Sequence, residues 1–345
     1  MLELTNLNYI FILIEGFLFR NGFKKKSKVV LTVIGMQLIL LLGLRGTSVG
    51  IDTQTYIDLF WAIKNGWTVD YLELGNQIVY NVISAFFNSS VALLMSYALI
   101  TIIPVLKVIK KDSHNVFSSV ILYAGFMYYY WAFNAMRQAA AMSIAFWAIS
   151  CLEENKPLKY FLLVTLAALF HKSALLVLLF GIVKKSGIRA NKNWAIWVIA
   201  LSGVGALLGN KIISFGVMLF RPYEGYIDSA FAENGNVLHP ILFLLIFLVV
   251  LLMGNRLNEN EQLLLTMLSV GVVLYFVSIK IGIVNRITYY FTMPLIILLP
   301  NWLESLKGQN KRLTKVIFYI GISLYQFLVV LKGTQGIVPY RFFWQ

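Results

Sequence analysis

Residues 158–183 read LKYFLLVTLAALFHKSALLVLLFGIV. The run is apolar on both sides of His171-Lys172-Ser173 and polar at those three positions. As one continuous helix it is long enough to cross a bilayer, which takes about 20 residues. As two short helices joined at 171–173 it returns the chain to the side it came from. The choice decides the second half of the topology, because one long helix would carry the basic segment 304–315 away from the other basic loops. Short cytoplasmic loops collect Lys and Arg, so the reading adopted is two helices with a turn at His171.

Further apolar runs flank this one at 7–19, 29–44, 91–106, 116–133, 135–152, 193–210, 238–254, 262–279, 287–303 and 316–331. The 345 residues are 59% hydrophobic and 13% charged, with a mean hydropathy of +0.77. A soluble domain carries about 25% charged residues, so this chain has too little polar surface to face water on every side. A soluble multi-domain enzyme, a disordered chain and a collagen-like chain are excluded. The expectation is an all-α polytopic membrane protein of about 12 transmembrane helices, forming a single domain over 1–345. The amphipathic stretch 75–90 reads as a re-entrant or interfacial helix. The first run follows Glu3 without a basic segment before it, which suits a retained anchor more than a cleaved signal. Cys151, the one cysteine, rules out an internal disulfide and reads as a small buried filler near a helix end.

The net charge of +14 is read as a topology signal, not as an affinity for nucleic acid. Arg20, Lys24, Lys25, Lys26 and Lys28 place the first loop in the cytoplasm. Following the chain then puts 107–115, 153–157, 184–192, 255–261 and 304–315 inside. Both termini and the longer segments 45–90 and 211–237 fall outside.

Arg45, Arg137, Arg221, Arg286 and Arg341 all lie on that outer side. Arginine presents a planar fork of donors that matches phosphate bidentately. Against the positive-inside bias, an anionic ligand is one reason for them, and ordinary loop salt bridges are the other. In LRGTSVGIDTQTYIDLF (44–60), Gly46 and Gly50 permit a tight exit from the membrane. Asp52 opens a helix there and shares a face with Tyr56; it either caps that helix or does chemistry. Glu73, Gln77 and Tyr80 form a polar stripe, which a solvated surface would also explain. In YAGFMYYYWAFNAMRQ (123–138), an interfacial aromatic belt accounts for Tyr128, Tyr129 and Tyr130. It does not account for Arg137, because an ionisable group at membrane depth is costly. Aromatic faces beside Asn134 and Gln138 also suit sugar rings. His171 is either a satisfied core residue or a proton acceptor or phosphate ligand. No GxSxG, Walker loop, HExxH or Asp-x-Asp pair occurs. GVGALLG (203–209) lies in an apolar span, where Gly205 and Gly209 read as helix packing.

Several of these residues together resemble the EpsG-like branch of the Wzy polysaccharide polymerases. The resemblance rests on Arg45-x4-Gly50-x-Asp52-x3-Tyr56, Glu73-x-Gly75, Met136-Arg137-Gln138 and Phe170-His171-x-Ser173-Ala174. It continues in Arg286 followed by Tyr289-Tyr290-Phe291, and in the closing Pro339-Tyr340. It runs through nearly the whole chain, with no matching motif in 211–236. It implies a helical fold of the lipid-dependent (GT-C-like) glycosyltransferase kind in the bacterial cytoplasmic membrane. The implied reaction joins oligosaccharide repeat units carried on undecaprenyl diphosphate, as in O-antigen, capsule or exopolysaccharide synthesis. No nucleotide sugar, cofactor or metal is expected, and a chain-length regulator and a flippase are the implied partners.

Under that reading a diphosphate leaving group needs positive charge, assigned to Arg137, Arg286 and Arg45. The acceptor hydroxyl needs a base, and Glu73, His171 and Asp52 are the candidates in that order. Tyr56, Gln138, Tyr289, Tyr290, Tyr340 and Arg341 complete the expected substrate contacts. An outer-face ligase using the same lipid carrier would need the same pocket. A lipid-linked sugar transporter or flippase would instead show an internal repeat with polar residues along a central path, and no such repeat is seen.

Overall fold

The computed structural model describes residues 28–219, 237–253, 257–307, 310–331, 333 and 335–345. Three expectations lie outside those residues: the apolar run 7–19, the basic loop from Arg20 through Lys26, and nearly all of the outer segment 211–237 beyond its first helical residues, Arg221 included. Every other apolar run coincides with a helix or a pair of helix pieces, and among the described residues there is no strand, only one isolated β-bridge. The chain divides into two compact units, residues 1–175 with 303–345 and residues 176–302.

The first unit contains α1 (Lys28–Gly43), α2 (Thr53–Lys64), α3 (Leu74–Phe86), α4 (Ser90–Asp112), α5 (Val116–Gly125), α6 (Tyr128–Asn134), α7 (Met136–Glu153) and α8 (Pro157–Ala168). Helix α7 is its centre, buried along most of its length and packed on α4 and α8. Ala139, Ala140, Ala141, Ala145 and Ala148 give it the small side chains that let neighbouring helices approach closely. Cys151 is buried in its last turn, in keeping with a filler role. The 116–133 run is not one straight helix: α5 and α6 meet at a 46° bend. Met127 sits at that break in a left-handed conformation, φ 67°, which stops the helical ladder.

The turn at His171 is present. Helix α8 ends at Ala168, and a 3-10 helix, Lys172–Val177, begins after His171. It leads into α9 (Leu178–Ser186), which belongs to the second unit with α10 (Trp194–Leu219), α11 (Leu238–Met253), α12 (Glu259–Ser278) and α13 (Asn285–Thr292). Helix α12 is the core of that unit, packed by α9, α10, α11 and α13. It starts in a reciprocal capping box between Asn258 and Glu261. Gly205 and Gly209 of α10 do serve packing: a Cβ on Gly205 would lie 2.9 Å from the Val277 side chain, and one on Gly209 3.0 Å from the Val277 carbonyl. The 287–303 run is also broken, because α13 and α14 (Leu295–Ser305) meet at 49°. Pro294 precedes α14 and has no N–H to continue the ladder. The last helix, α15 (Asn310–Leu331), returns to the first unit, where Gln326 Nε2 donates to the Tyr130 hydroxyl at 2.6 Å.

Two described helices, α4 and α12, are long and apolar enough to cross a membrane, and up to four spans result if each bent pair counts as one. The expected count of about twelve crossings therefore exceeds what helix length alone supports. Four more apolar helical stretches, Val29–Gly43, Pro157–Ala168, Trp194–Gly209 and Leu238–Met253, are shorter; the 12 residues of Pro157–Ala168 rise only about 18 Å. The turn at His171 is what ends Pro157–Ala168, and the breaks at Met127 and Pro294 divide the two bent pairs.

The motif loop between α1 and α2 is built around close backbone approaches. Gly50 has φ 91°, its N–H donates to the Gly336 carbonyl at 2.8 Å, and a Cβ there would lie 2.5 Å from the Phe133 carbonyl oxygen. Substituting Gly50→Ala is expected to cost about 2–4 kcal/mol through backbone strain and the clash. Thermal inactivation of the detergent-solubilised protein measures it, and an unchanged midpoint would contradict the account.

Candidate active site

Glu73 occupies the residue before α3 in an extended conformation, φ −62° and ψ 148°, but its side chain does not cap the helix. It reaches instead to Arg137 in the first turn of α7, with Arg137 Nη1 donating to Glu73 Oε2 at 2.9 Å. The pair is mostly withdrawn from solvent, the side chains being 27% exposed for Arg137 and 14% for Glu73. Glu73 Oε2 also accepts from Asn76 Nδ2 at 2.9 Å. Asn76 is itself fully buried. Its Nδ2 donates a second bond to the Phe170 carbonyl at 2.8 Å, and its Oδ1 accepts from the Tyr97 hydroxyl at 2.7 Å.

The glycine of the Glu-x-Gly pattern has a geometric reason. Gly75 N–H donates to the Leu169 carbonyl at 2.8 Å, and a Cβ on Gly75 would lie 2.8 Å from that same oxygen. The first turn of α3 thus lies directly on the turn that carries His171. The His171 ring comes one residue after the Phe170 carbonyl used by Asn76, and its Nδ1 is 2.6 Å from Ser173 Oγ. Glu73, Arg137 and the His171 turn, far apart in sequence, form one polar cluster.

Tyrosines wall this cluster. Tyr80 and Tyr97 meet edge to face with centroids 6.2 Å apart. The buried Tyr80 hydroxyl has no hydrogen-bond partner among the described residues. Burial pushes the Tyr80 phenol pKa up, Tyr56 adding to that and the Arg137 and Arg45 charges opposing it. Tyr56 donates its hydroxyl to the Asn134 carbonyl at 2.8 Å. Burial, with the charge of Asp52 adding to it, pushes the Tyr56 pKa up to about 12. At neutral pH Tyr56 is therefore a neutral donor and not a base. Asp52 precedes α2 and makes no capping hydrogen bond, so the capping role is absent; its carboxylate acts on Tyr56 as a nearby charge.

Arg45 is placed differently from Arg137. It is 1% exposed. Its Nε donates to Thr53 Oγ1 at 3.1 Å, its Nη1 donates to the Leu42 carbonyl, and its guanidinium lies 5.4 Å from the Phe133 ring centroid. These contacts organise the 45–56 loop, and the charge reaches Tyr56 and Tyr80 through space. Asn134 fastens the same loop: its Oδ1 accepts from Ile51 N–H at 2.6 Å, and its Nδ2 donates to the Gln335 carbonyl at 3.0 Å. The C-terminal segment closes over α1. Gly46 N–H donates to the Arg341 carbonyl at 2.8 Å, and the buried Tyr340 hydroxyl donates to the Leu41 carbonyl at 2.9 Å. The Arg341 side chain is exposed, and Gln138 is 2% exposed inside α7. Arg286, Tyr289 and Tyr290 lie on α13 in the second unit, with Tyr290 buried and the other two half-buried.

The first unit thus brings together Glu73, Arg137, Tyr56, Asp52 and the His171 turn, while Tyr340 and Arg45 anchor the backbone beside them. Asn76, Tyr97 and Thr53 were not singled out from sequence. Asn76 had a signal, because a residue three after Glu73 on a helix faces it. Among the described residues no group of three His, Cys, Asp or Glu side chains is arranged to hold a metal ion. The arrangement offers a carboxylate with a guanidinium counter-ion, which suits proton abstraction beside an anionic group.

A family model described as the EpsG family matches residues 28–342. The match spans nearly the whole chain, and the chain belongs to that family. Comparisons with curated proteins and with solved structures give no match.

Proposed function

We propose that this member of the EpsG family is a membrane glycosyltransferase that polymerises oligosaccharide repeat units carried on undecaprenyl diphosphate. The observation that carries the reading is the Arg137–Glu73 pair, 2.9 Å apart at the start of α7 and α3, in a helical membrane protein of a polysaccharide-polymerase family. An arginine forced into that setting by a phosphate-bearing substrate has a reason to be there. A carboxylate beside it has the hydrogen-bonding reach to deprotonate a sugar hydroxyl.

In the proposed step, a hydroxyl oxygen at the non-reducing end of one lipid-linked unit bonds to the anomeric carbon of the growing glycan. The bond between that carbon and the diphosphate oxygen breaks, and undecaprenyl diphosphate leaves with the electron pair. Glu73 takes the hydroxyl proton. Among the described residues the Arg137 side chain makes no hydrogen bond other than that to Glu73, so the rest of its donor fork is available to the diphosphate as charge develops there. Tyr56 holds the loop that frames the pair, and His171 is the second candidate base. The energy for transfer resides in the donor's own diphosphate bond, so the reading requires neither nucleotide sugar nor cofactor.

The same proposal includes a multi-pass arrangement in the bacterial cytoplasmic membrane. It has about twelve crossings, some of them short or broken. Both termini and the Glu73–Arg137 pair are on the outer side, with a GT-C-like helical fold. A flippase that delivers the lipid-linked units and a chain-length regulator are the proposed partners.

A surface-polysaccharide gel of the deletion strain, with and without the wild-type gene, tests the reading. The expected outcome is a single repeat unit in the deletion strain and a ladder of lengths on complementation. Loss of every surface repeat unit, single ones included, would replace it with a transport or ligation step.

A further inference from the structure

Glu73 has two carboxylate oxygens, and the protein treats them differently. Both of its side-chain donors converge on Oε2: Arg137 Nη1 at 2.9 Å and Asn76 Nδ2 at 2.9 Å. Among the described residues no hydrogen bond falls on Oε1. Asn76 is also tied to Glu73 through the backbone, its N–H donating to the Glu73 carbonyl at 2.9 Å. Its own amide cannot rotate without breaking bonds, because Nδ2 is shared with the Phe170 carbonyl and Oδ1 is held by Tyr97. A buried amide fixed at every polar atom is a rigid platform.

We propose that Asn76 is the positioning residue of the candidate base, clamping Glu73 Oε2 alongside Arg137 so that Oε1 is the oxygen presented to the acceptor hydroxyl. This inference rests on the reading of Glu73 as the base. It assigns to Asn76 no contact with substrate. The Phe170 bond also makes Asn76 the link between Glu73 and the His171 turn, so the two candidate bases are held in register by one side chain.

The charged and titratable groups around Asn76 are Glu73, Arg137, the phenols of Tyr97, Tyr80 and Tyr56, and His171 on the turn whose Phe170 carbonyl Asn76 holds. The isosteric variant Asn76→Asp keeps the shape and the acceptor for Tyr97 but removes the donor. At neutral pH it puts a second carboxylate against Oε2, and the two repel. As pH falls the two acids share one proton. It resides on the introduced acid, because Glu73 already has Arg137 as its counter-ion. That acid then donates to Oε2 as the asparagine did.

The test uses unsealed membranes containing the full-length protein and the strain's own lipid-linked repeat units, with polymer formation followed between about pH 5.5 and 8.5. Amounts are normalised to protein in the membrane. Asn76→Ala is expected to lose about tenfold or more at every pH, the scale of one hydrogen bond to a charged group. Asn76→Asp is expected to fall at least as far at neutral pH and to recover relative to wild type as pH is lowered. A profile for Asn76→Asp parallel to wild type would overturn the proposal and leave Glu73 untouched. Tyr97→Phe removes a support of Asn76 without removing its donor, and is expected within about threefold of wild type. If Asn76→Asp does not accumulate in the membrane, the comparison of Asn76→Ala with Tyr97→Phe decides: equal losses mean packing alone and overturn the proposal. Glu73→Gln, measured beside them, separates the two levels. Activity retained there would remove the base itself, and the positioning role with it.

Discussion

Glu73→Gln is expected to abolish the polysaccharide ladder in the complemented deletion strain while leaving the single repeat unit in place. The substitution keeps the side-chain volume and an oxygen that still accepts from Asn76. It removes the group in the cluster best placed to take a proton from a sugar hydroxyl, since Tyr56 is a neutral donor held by the Asn134 carbonyl. Loss of a general base costs about 10²–10⁴ in rate, enough to reduce a ladder to one band at ordinary expression. Glu73→Asp should retain part of the activity. It keeps the charge but withdraws the carboxylate by one methylene from Arg137 and Asn76, both at 2.9 Å. If His171 is the base instead, His171→Ala erases the ladder and Glu73→Gln does not. The bonds that join their two segments, Asn76 Nδ2 to the Phe170 carbonyl and Gly75 N–H to the Leu169 carbonyl, use neither the Glu73 nor the His171 side chain, so neither substitution deletes a group that makes them.

Parts of the fold that carries this cluster could be read from the chain, and the limits of that reading are physical. The interruption of an apolar run by His171-Lys172-Ser173 was visible because three polar residues at membrane depth are costly, and α8 does end there. Gly205 and Gly209 announced a close helix contact because nothing else explains small residues in an apolar span. The partner of Arg137 was not visible. Glu73 precedes it by 64 residues, and sequence spacing carries no information about which charges meet across a packed interface. Arg45 shows the same limit. From sequence it matched Arg137 as an outer arginine, yet it turns inward onto Thr53, the Leu42 carbonyl and Phe133. The difference lies in the backbone immediately C-terminal to each arginine. Arg45 leads into a glycine-rich loop that folds back over its side chain, whereas Arg137 opens a helix whose first turn faces α3. The helix breaks at Met127 and Pro294 also escaped a count of apolar residues, because hydropathy is insensitive to direction.

Arg137 carries the largest combined effect, and its two roles separate by choice of substitution. Arg137→Ala removes the fork and leaves a carboxylate that is only 14% exposed without a counter-ion. Breaking a fully buried pair costs about 3–5 kcal/mol. This pair is partly solvated, so a loss of about 2 kcal/mol is the expected scale. Loss of a preorganised donor to a developing anion costs a further ~10²–10³ in rate, so the ladder should disappear and the amount of protein in the membrane should fall. Arg137→Lys is the discriminating variant. An ammonium restores the charge beside Glu73, and thermal stability in detergent should return to within about 1 kcal/mol of wild type. A single point charge cannot hold the carboxylate and a diphosphate in the planar, two-sided way a guanidinium does. Activity should therefore stay about tenfold or more below wild type even with stability restored. Full activity in the lysine variant would show that only the charge matters, and full activity in the alanine variant would end the diphosphate role of Arg137. Exchanging the pair, Glu73→Arg with Arg137→Glu, carries the logic one step further. The ion pair can re-form and the protein accumulate, but base and phosphate ligand then stand on the wrong helices, so stability without polymer is the outcome that assigns the pair to chemistry and not to folding.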